Sequence, residues 1–152
     1  MAVVVGVDGS PDSYAAIRIG QEEASLRGTR LVAVMAYGGE GMLGTPAARP
    51  LATPGPLEEE RVMAGSTLRS VIKGALGADG EAVEPLVEAG QPGRVLVEAA
   101  RALDAVMVVL AARKERTPSR LLGAVSQYVL RNAPCPVLVV PEAGKARQAP
   151  PG

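Results

Sequence analysis

The chain contains no histidine. That excludes Ser-His-Asp and Cys-His nucleophile systems, histidine metal ligands and imidazole proton shuttles. A single cysteine, Cys135, rules out a disulfide within the chain. It stands between two prolines ahead of an apolar run, and reads as a small buried apolar residue in preference to a reactive thiol. Phenylalanine and tryptophan are absent, so the core must be built from Val, Leu, Ile, Ala and Met. With 16 basic and 16 acidic residues the net charge is zero, which gives no general attraction to nucleic acid or to anionic membranes. No apolar run approaches the length of a membrane span, and Met1-Ala2-Val3 lacks a charged leader. No nucleic acid, membrane or secretory route is therefore expected, and the expected location is the cytoplasm.

What is present is an alternation of apolar runs and amphipathic segments. At 152 residues and 47% hydrophobic, the chain is long enough for one domain with a full core. Residues 1–143 form that domain, and 144–152 read as a disordered tail. Ala2 to Val7 is short, apolar and β-branched, the pattern of a strand buried on both faces. Ser10-Pro11 then reads as a helix start, with Ser10 as N-cap and Pro11 in the first turn. Ala16, Ile17, Gly20 and Ala24 share one helical face, and Gly28 ends the helix. Leu31 to Tyr37 is a second strand. Gly38 to Pro56, with prolines at 46, 50, 54 and 56, reads as a long loop. Leu57 to Leu76 is helical, with Leu68, Val71, Ile72 and Ala75 at helical spacing, followed by a turn over Gly77 to Gly80. Ala82 to Ala89 is a strand that Pro85 assigns to a sheet edge. A helix over Arg94 to Leu103, a strand over Ala105 to Ala111 and a charged loop over Arg113 to Arg120 come next. The chain closes with a helix over Gly123 to Asn132 and a strand over Val137 to Val140. Apolar strands joined by helical crossovers predict an α/β fold, a parallel sheet with helices on both faces.

Several motifs carry no chemistry. Gly39-Glu40-Gly41-Met42-Leu43-Gly44 matches G-x-G-x-x-G, but Pro46 and Pro50 prevent it from opening a helix. Gly144-Lys145 lacks the remainder of a phosphate-loop pattern. Ser126 has no base to activate it as a nucleophile. Glu58, Glu59 and Glu60 cluster at a helix start, where the dipole explains them without a metal.

Two stretches do point somewhere. They are Val3-Val4-Val5-Gly6-Val7-Asp8-Gly9-Ser10-Pro11 and the run from Gly123-Ala124-Val125-Ser126 through Pro134-Cys135-Pro136 to Val140. A helix N-terminus directly after a loop leaves backbone N–H groups open to an anion. Together the two stretches resemble the universal stress protein family, over Val3 to Pro141. The resemblance implies a single five-stranded parallel sheet of order 3-2-1-4-5, Rossmann-like and related to the adenine nucleotide alpha hydrolase fold. It also implies a cytoplasmic stress-response role without enzymatic turnover, and a homodimer paired through Val137, Leu138, Val139 and Val140. ATP-binding members carry Gly-x2-Gly-x9-Gly-(Ser/Thr) after the fourth strand. Here the first two glycines fall on Leu110 and Arg113, Gly123 is retained, and the hydroxyl position is Ala124. Val125 and Ser126 match the residues that the family usually carries next. The resemblance further places Asp8 beside adenine and ribose, and Ala36 on the adenine pocket wall.

Two functional classes stay open at this point. In one, the phosphate loop is degraded, no cofactor binds, and the domain is an interaction module for an unknown protein partner. In the other, ATP or AMP binds at Asp8, Ala36, Arg113 and Gly123 to Ser126, with Arg113, Lys114, Arg116 and Arg120 replacing the lost glycines. A solvated loop partly neutralised by Glu115 explains the same cations without a ligand. From the loop residues alone the first class is favoured. A slow ATPase ranks third, since only Asp8 offers a base and any metal would be held by phosphates and water.

Overall fold

Val3, Val4 and Val5 have no exposed surface, because the strand they form lies at the centre of the sheet with helices on both faces. In the computed structural model, residues 1–38, 54–112 and 123–141 are described. The elements run β1 (Ala2–Gly6), α1 (Ser13–Leu26), β2 (Arg30–Gly38), α2 (Pro54–Leu76), β3 (Glu84–Gly90), α3 (Pro92–Ala102), β4 (Ala105–Ala111), α4 (Ala124–Asn132) and β5 (Val137–Val140). All four pairings are parallel and the order is β3-β2-β1-β4-β5, as expected. Register places Val5 opposite Ala33 on one side and Val109 on the other.

Period-two alternation divides the core into two layers. Val3 and Val5 join Ile17 of α1 and Leu68 and Ile72 of α2 on one face. Val4 joins Val34, Leu96, Val108 and Val129 beneath α3 and α4 on the other. With no Phe or Trp to fill space, helix and sheet must approach closely. A Cβ on Gly20 would lie 3.0 Å from Leu31 Cδ1. On the opposite face, a Cβ on Gly6 would lie 2.7 Å from Leu110 Cδ2 and 2.9 Å from Leu96 Cδ1. The predicted helix faces hold: Ala16, Ile17, Gly20 and Ala24 are all buried, as are Leu68, Val71, Ile72 and Ala75.

Boundaries differ where turn chemistry intervenes. α2 begins at Pro54, three residues earlier than Leu57, because proline is tolerated in a first helical turn. Glu58, Glu59 and Glu60 therefore fall after the first turn and not at the helix start. Gly77–Ala82 forms a 3-10 helix where a plain turn is expected, which delays β3 to Glu84. α3 begins at Pro92 and ends at Ala102, leaving Leu103 as its cap. Residues 39–53, expected as part of a loop, and 142–152, which include the expected tail, lie outside the described residues. Cys135 is half-buried against the α3–α4 layer. Burial raises its thiol pKa and a backbone contact from Val108 offsets part of that, so the thiol stays protonated at neutral pH.

The two sheet edges differ. β3 pairs only with β2 and carries Glu84, Pro85 and Glu88, features that blunt an edge. β5 pairs only with β4 and carries Val137, Leu138, Val139 and Val140.

Cavity and overpacking substitutions should be separable by urea denaturation. Ile17→Ala removes a fully buried side chain and should lower stability by about 2–5 kcal/mol. Gly6→Ala adds a methyl against two leucines that are each 4% exposed and should cost roughly 1–3 kcal/mol.

Candidate functional site

The order of the sheet reverses between β1 and β4, so the loops after these strands diverge at their carboxyl ends and leave a crevice. β1 hands over to its loop through the Val7 N–H, which donates to Val34 O at 2.9 Å. Asp8 is the next residue. Its Oδ1 accepts the Ser10 N–H at 2.9 Å and the Ser13 hydroxyl at 3.0 Å, while the Asp8 N–H donates to Ser13 Oγ at 3.3 Å. Gly9 sits at φ +86°, a conformation that side chains disfavour, which lets the chain turn back towards α1.

This geometry corrects the expected role of Ser10. It does not cap α1. Asp8 captures the Ser10 N–H, the chain then winds through Ser13 N–H to Ser10 O and Tyr14 N–H to Pro11 O, and α-helix begins at Ser13. Asp12 holds the cap position without a side-chain bond. Ser10 Oγ is buried with no hydrogen-bond partner among the described residues.

Across the crevice, α4 starts immediately after Gly123. The first bond back to the cap is Gln127 N–H to Gly123 O at 3.0 Å. The amides of Ala124, Val125 and Ser126 therefore precede the helix's own bonding and form its positive end. Gly123 is buried, and Ser126 is 5% exposed.

The two sides enclose a cleft of about 190 Å³. Asp8 and Ser13 line it from the β1 side, and Gly123 to Ser126 from the α4 side. Val34, Ala36, Leu96 and Leu110 make an apolar floor. Of the expected site residues, Asp8, Ala36, Gly123, Ala124, Val125 and Ser126 are thus brought to one cleft, and Arg113 lies outside the described residues. Ser13, Val34, Pro92 and Leu96 join them without having been expected. Ser13 had a readable signal, a serine at the start of a helix five positions after a strand-terminal aspartate. The others are apolar residues whose role depends on which strands become neighbours.

Leu110, onto which the family's first glycine falls, lies within β4, inside the strand expected over Ala105 to Ala111. A residue replacing a loop glycine should strain the backbone if that glycine used positive φ. Among the described residues the only non-glycine at positive φ is Asp104, so Leu110 carries no such strain. It continues β4, and its side chain lies over Gly6, as does that of Leu96.

Among the described residues there is no group of three or more His, Cys, Asp or Glu that could hold a metal, and no helix is long and apolar enough to cross a membrane. A universal stress protein of Mycobacterium tuberculosis is 32% identical over 145 residues, 92% of this chain and 47% of that protein. The chain spans about half the length of the curated relatives it matches. The universal stress protein UspA from Lactobacillus plantarum shares the fold, with a TM-score of 0.69 at 23% identity over 92% of this chain and 97% of that one. A universal stress protein solved in complex with cAMP is 27% identical, with a TM-score of 0.59 over 94% of this chain and 98% of that one. The family model described as "Universal stress protein family" matches residues 1–141, a span that holds every described residue, and the chain belongs to that family.

Proposed function

We propose that the cleft between β1 and β4 binds an adenine nucleotide, ATP or AMP, and that the chain is a cytoplasmic stress sensor that acts through binding. Members of the family are generally non-catalytic, and the reading assigns no turnover. One observation carries it: a carboxylate and an open helix N-terminus face the same cleft. Asp8 can accept hydrogen bonds from ribose hydroxyls, and the α4 amides can donate to a phosphate. The apolar floor of Val34, Ala36, Leu96 and Leu110 suits the face of a base. The cAMP-bound relative supports the same chemistry.

These points favour the sensor over the nucleotide-free module that the loop residues favour when taken alone. Leu110 is accommodated without strain, and Ala124 loses a hydroxyl while keeping its amide. The segment joining β4 to α4 supplies Arg113, Lys114, Arg116 and Arg120 for any charge the amides leave unbalanced. Its two ends, Ala111 and Gly123, both line the cleft.

Calorimetry on protein stripped of nucleotide tests this. ATP or AMP should bind with a micromolar dissociation constant, and Asp8→Ala should weaken binding about 10- to 100-fold, the worth of a hydrogen bond to a charged group. Absence of heat at millimolar ATP and AMP would sink the reading.

We also infer a homodimer through β5. Its support is the contrast between the two edges: β3 is protected by charge and proline, whereas β5 is apolar along its length. Isologous pairing would cover β5 and leave β3 free. Sedimentation should give a dimer at micromolar concentration, and Val139→Lys should give a folded monomer. A monomeric parent protein would refute the inference.

A further inference from the structure

Ser13 is 1% exposed, so its hydroxyl must find partners inside the protein. Both of its hydrogen bonds go to Asp8. The hydroxyl donates to Asp8 Oδ1 and accepts the Asp8 N–H. Ser13 is itself fixed, being the first residue of α1 with its own N–H bonded to Ser10 O at 3.1 Å. The Ser10 N–H then adds a second donor to the same carboxylate oxygen. A side chain with two free torsions is thus held at its backbone and at its tip by one serine on a helix.

We propose that Ser13 is the positioning residue of the nucleotide cleft, fixing the Asp8 carboxylate in the orientation that receives ligand hydroxyls. The assignment rests on the nucleotide reading above. Its physical content is preorganisation: an oriented acceptor loses no torsional freedom when the ligand arrives. Ser13 adds nothing to the ligand directly; its effect passes through Asp8. Ser10 cannot take this role, since its hydroxyl meets no partner among the described residues and only its amide touches the carboxylate.

The experiment is a double-mutant cycle on AMP affinity by calorimetry, using wild type, Ser13→Ala, Asp8→Ala and the pair. Ser13→Ala should weaken AMP by about tenfold in the wild-type background and by less than about twofold in the Asp8→Ala background. Ser13→Thr, which retains the hydroxyl, should restore most of the affinity. Equal losses in both backgrounds, or a Ser13→Ala protein within about twofold of wild type, would overturn the assignment. Amide exchange of the ligand-free protein reads the same hold independently. The Ser10 N–H should exchange faster in Ser13→Ala and return to the wild-type rate in Ser13→Thr. Unchanged Ser10 exchange overturns the assignment even where nucleotide binds. If wild type gives no heat with AMP or ATP, the nucleotide reading and the ligand side of the assignment fall together, and Ser10 exchange alone decides whether Ser13 holds Asp8.

Discussion

Burial of β1 on both faces and both edges governs this fold. A strand flanked by two parallel neighbours cannot show a polar face, so Ala2 to Val5 must be uniformly apolar. The same placement makes β1 the point from which the chain winds outward in two directions, first to β2 and β3, then to β4 and β5. A crevice at the carboxyl ends of β1 and β4 is the consequence of that connectivity. The first residue free of the sheet's constraint is Asp8, and it stands at that crevice. Core and site are products of one arrangement.

The crevice brings together two electrostatic features of opposite sign. α4 presents roughly half a positive charge at its N-terminal end. Asp8 presents a carboxylate held by Ser10 and Ser13. A ligand that satisfies both needs an anionic end and a hydroxyl-bearing end, with an apolar face able to lie on Val34, Ala36 and Leu110. A simple inorganic anion satisfies only α4, and a neutral sugar only Asp8. That pairing of demands, more than either group, is what selects a nucleotide as the proposed ligand.

Much of this is legible in the sequence, for identifiable reasons. β4 and β5 are read at their observed bounds because β-branched runs flanked by turn residues leave little freedom. Pro85 marks an edge because proline cannot donate to a ladder, and β3 is an edge. Asp8, Ala36 and Gly123 to Ser126, the positions to which the family resemblance points, line one cleft. Misreadings arise where two local rules compete. Ser10-Pro11 satisfies the rule for a helix cap, but the strand-terminal Asp8 claims the Ser10 amide first and pushes the helix on to Ser13. The Gly6–Leu110 contact is beyond the reach of local rules altogether, since it joins neighbouring strands that are distant along the chain.

That contact changes how the altered loop should be weighed. Counted as motif letters, Leu110 and Ala124 are two losses. Counted physically, they are different events. Leu110 extends β4 by ordinary backbone geometry and sends its side chain into space that Gly6 leaves open, adding an apolar side chain to the lining of the cleft. Ala124 removes one hydroxyl but keeps its place as the first residue of α4, and helix amides donate whatever side chain they carry. Neither change takes away the positive end of the helix. What a lost glycine loop takes away is close backbone wrapping of several phosphates, and in the proposed complex the basic residues that the sequence carries between Ala112 and Gly123 would offer longer-range charge in its place. Contacts made by flexible cations are less exacting in geometry than a cradle of amides, and more sensitive to salt. In the proposed complex the base and ribose would be held by shape and the phosphates by charge, so ionic strength should act chiefly on how the chain ranks nucleotides by phosphate number.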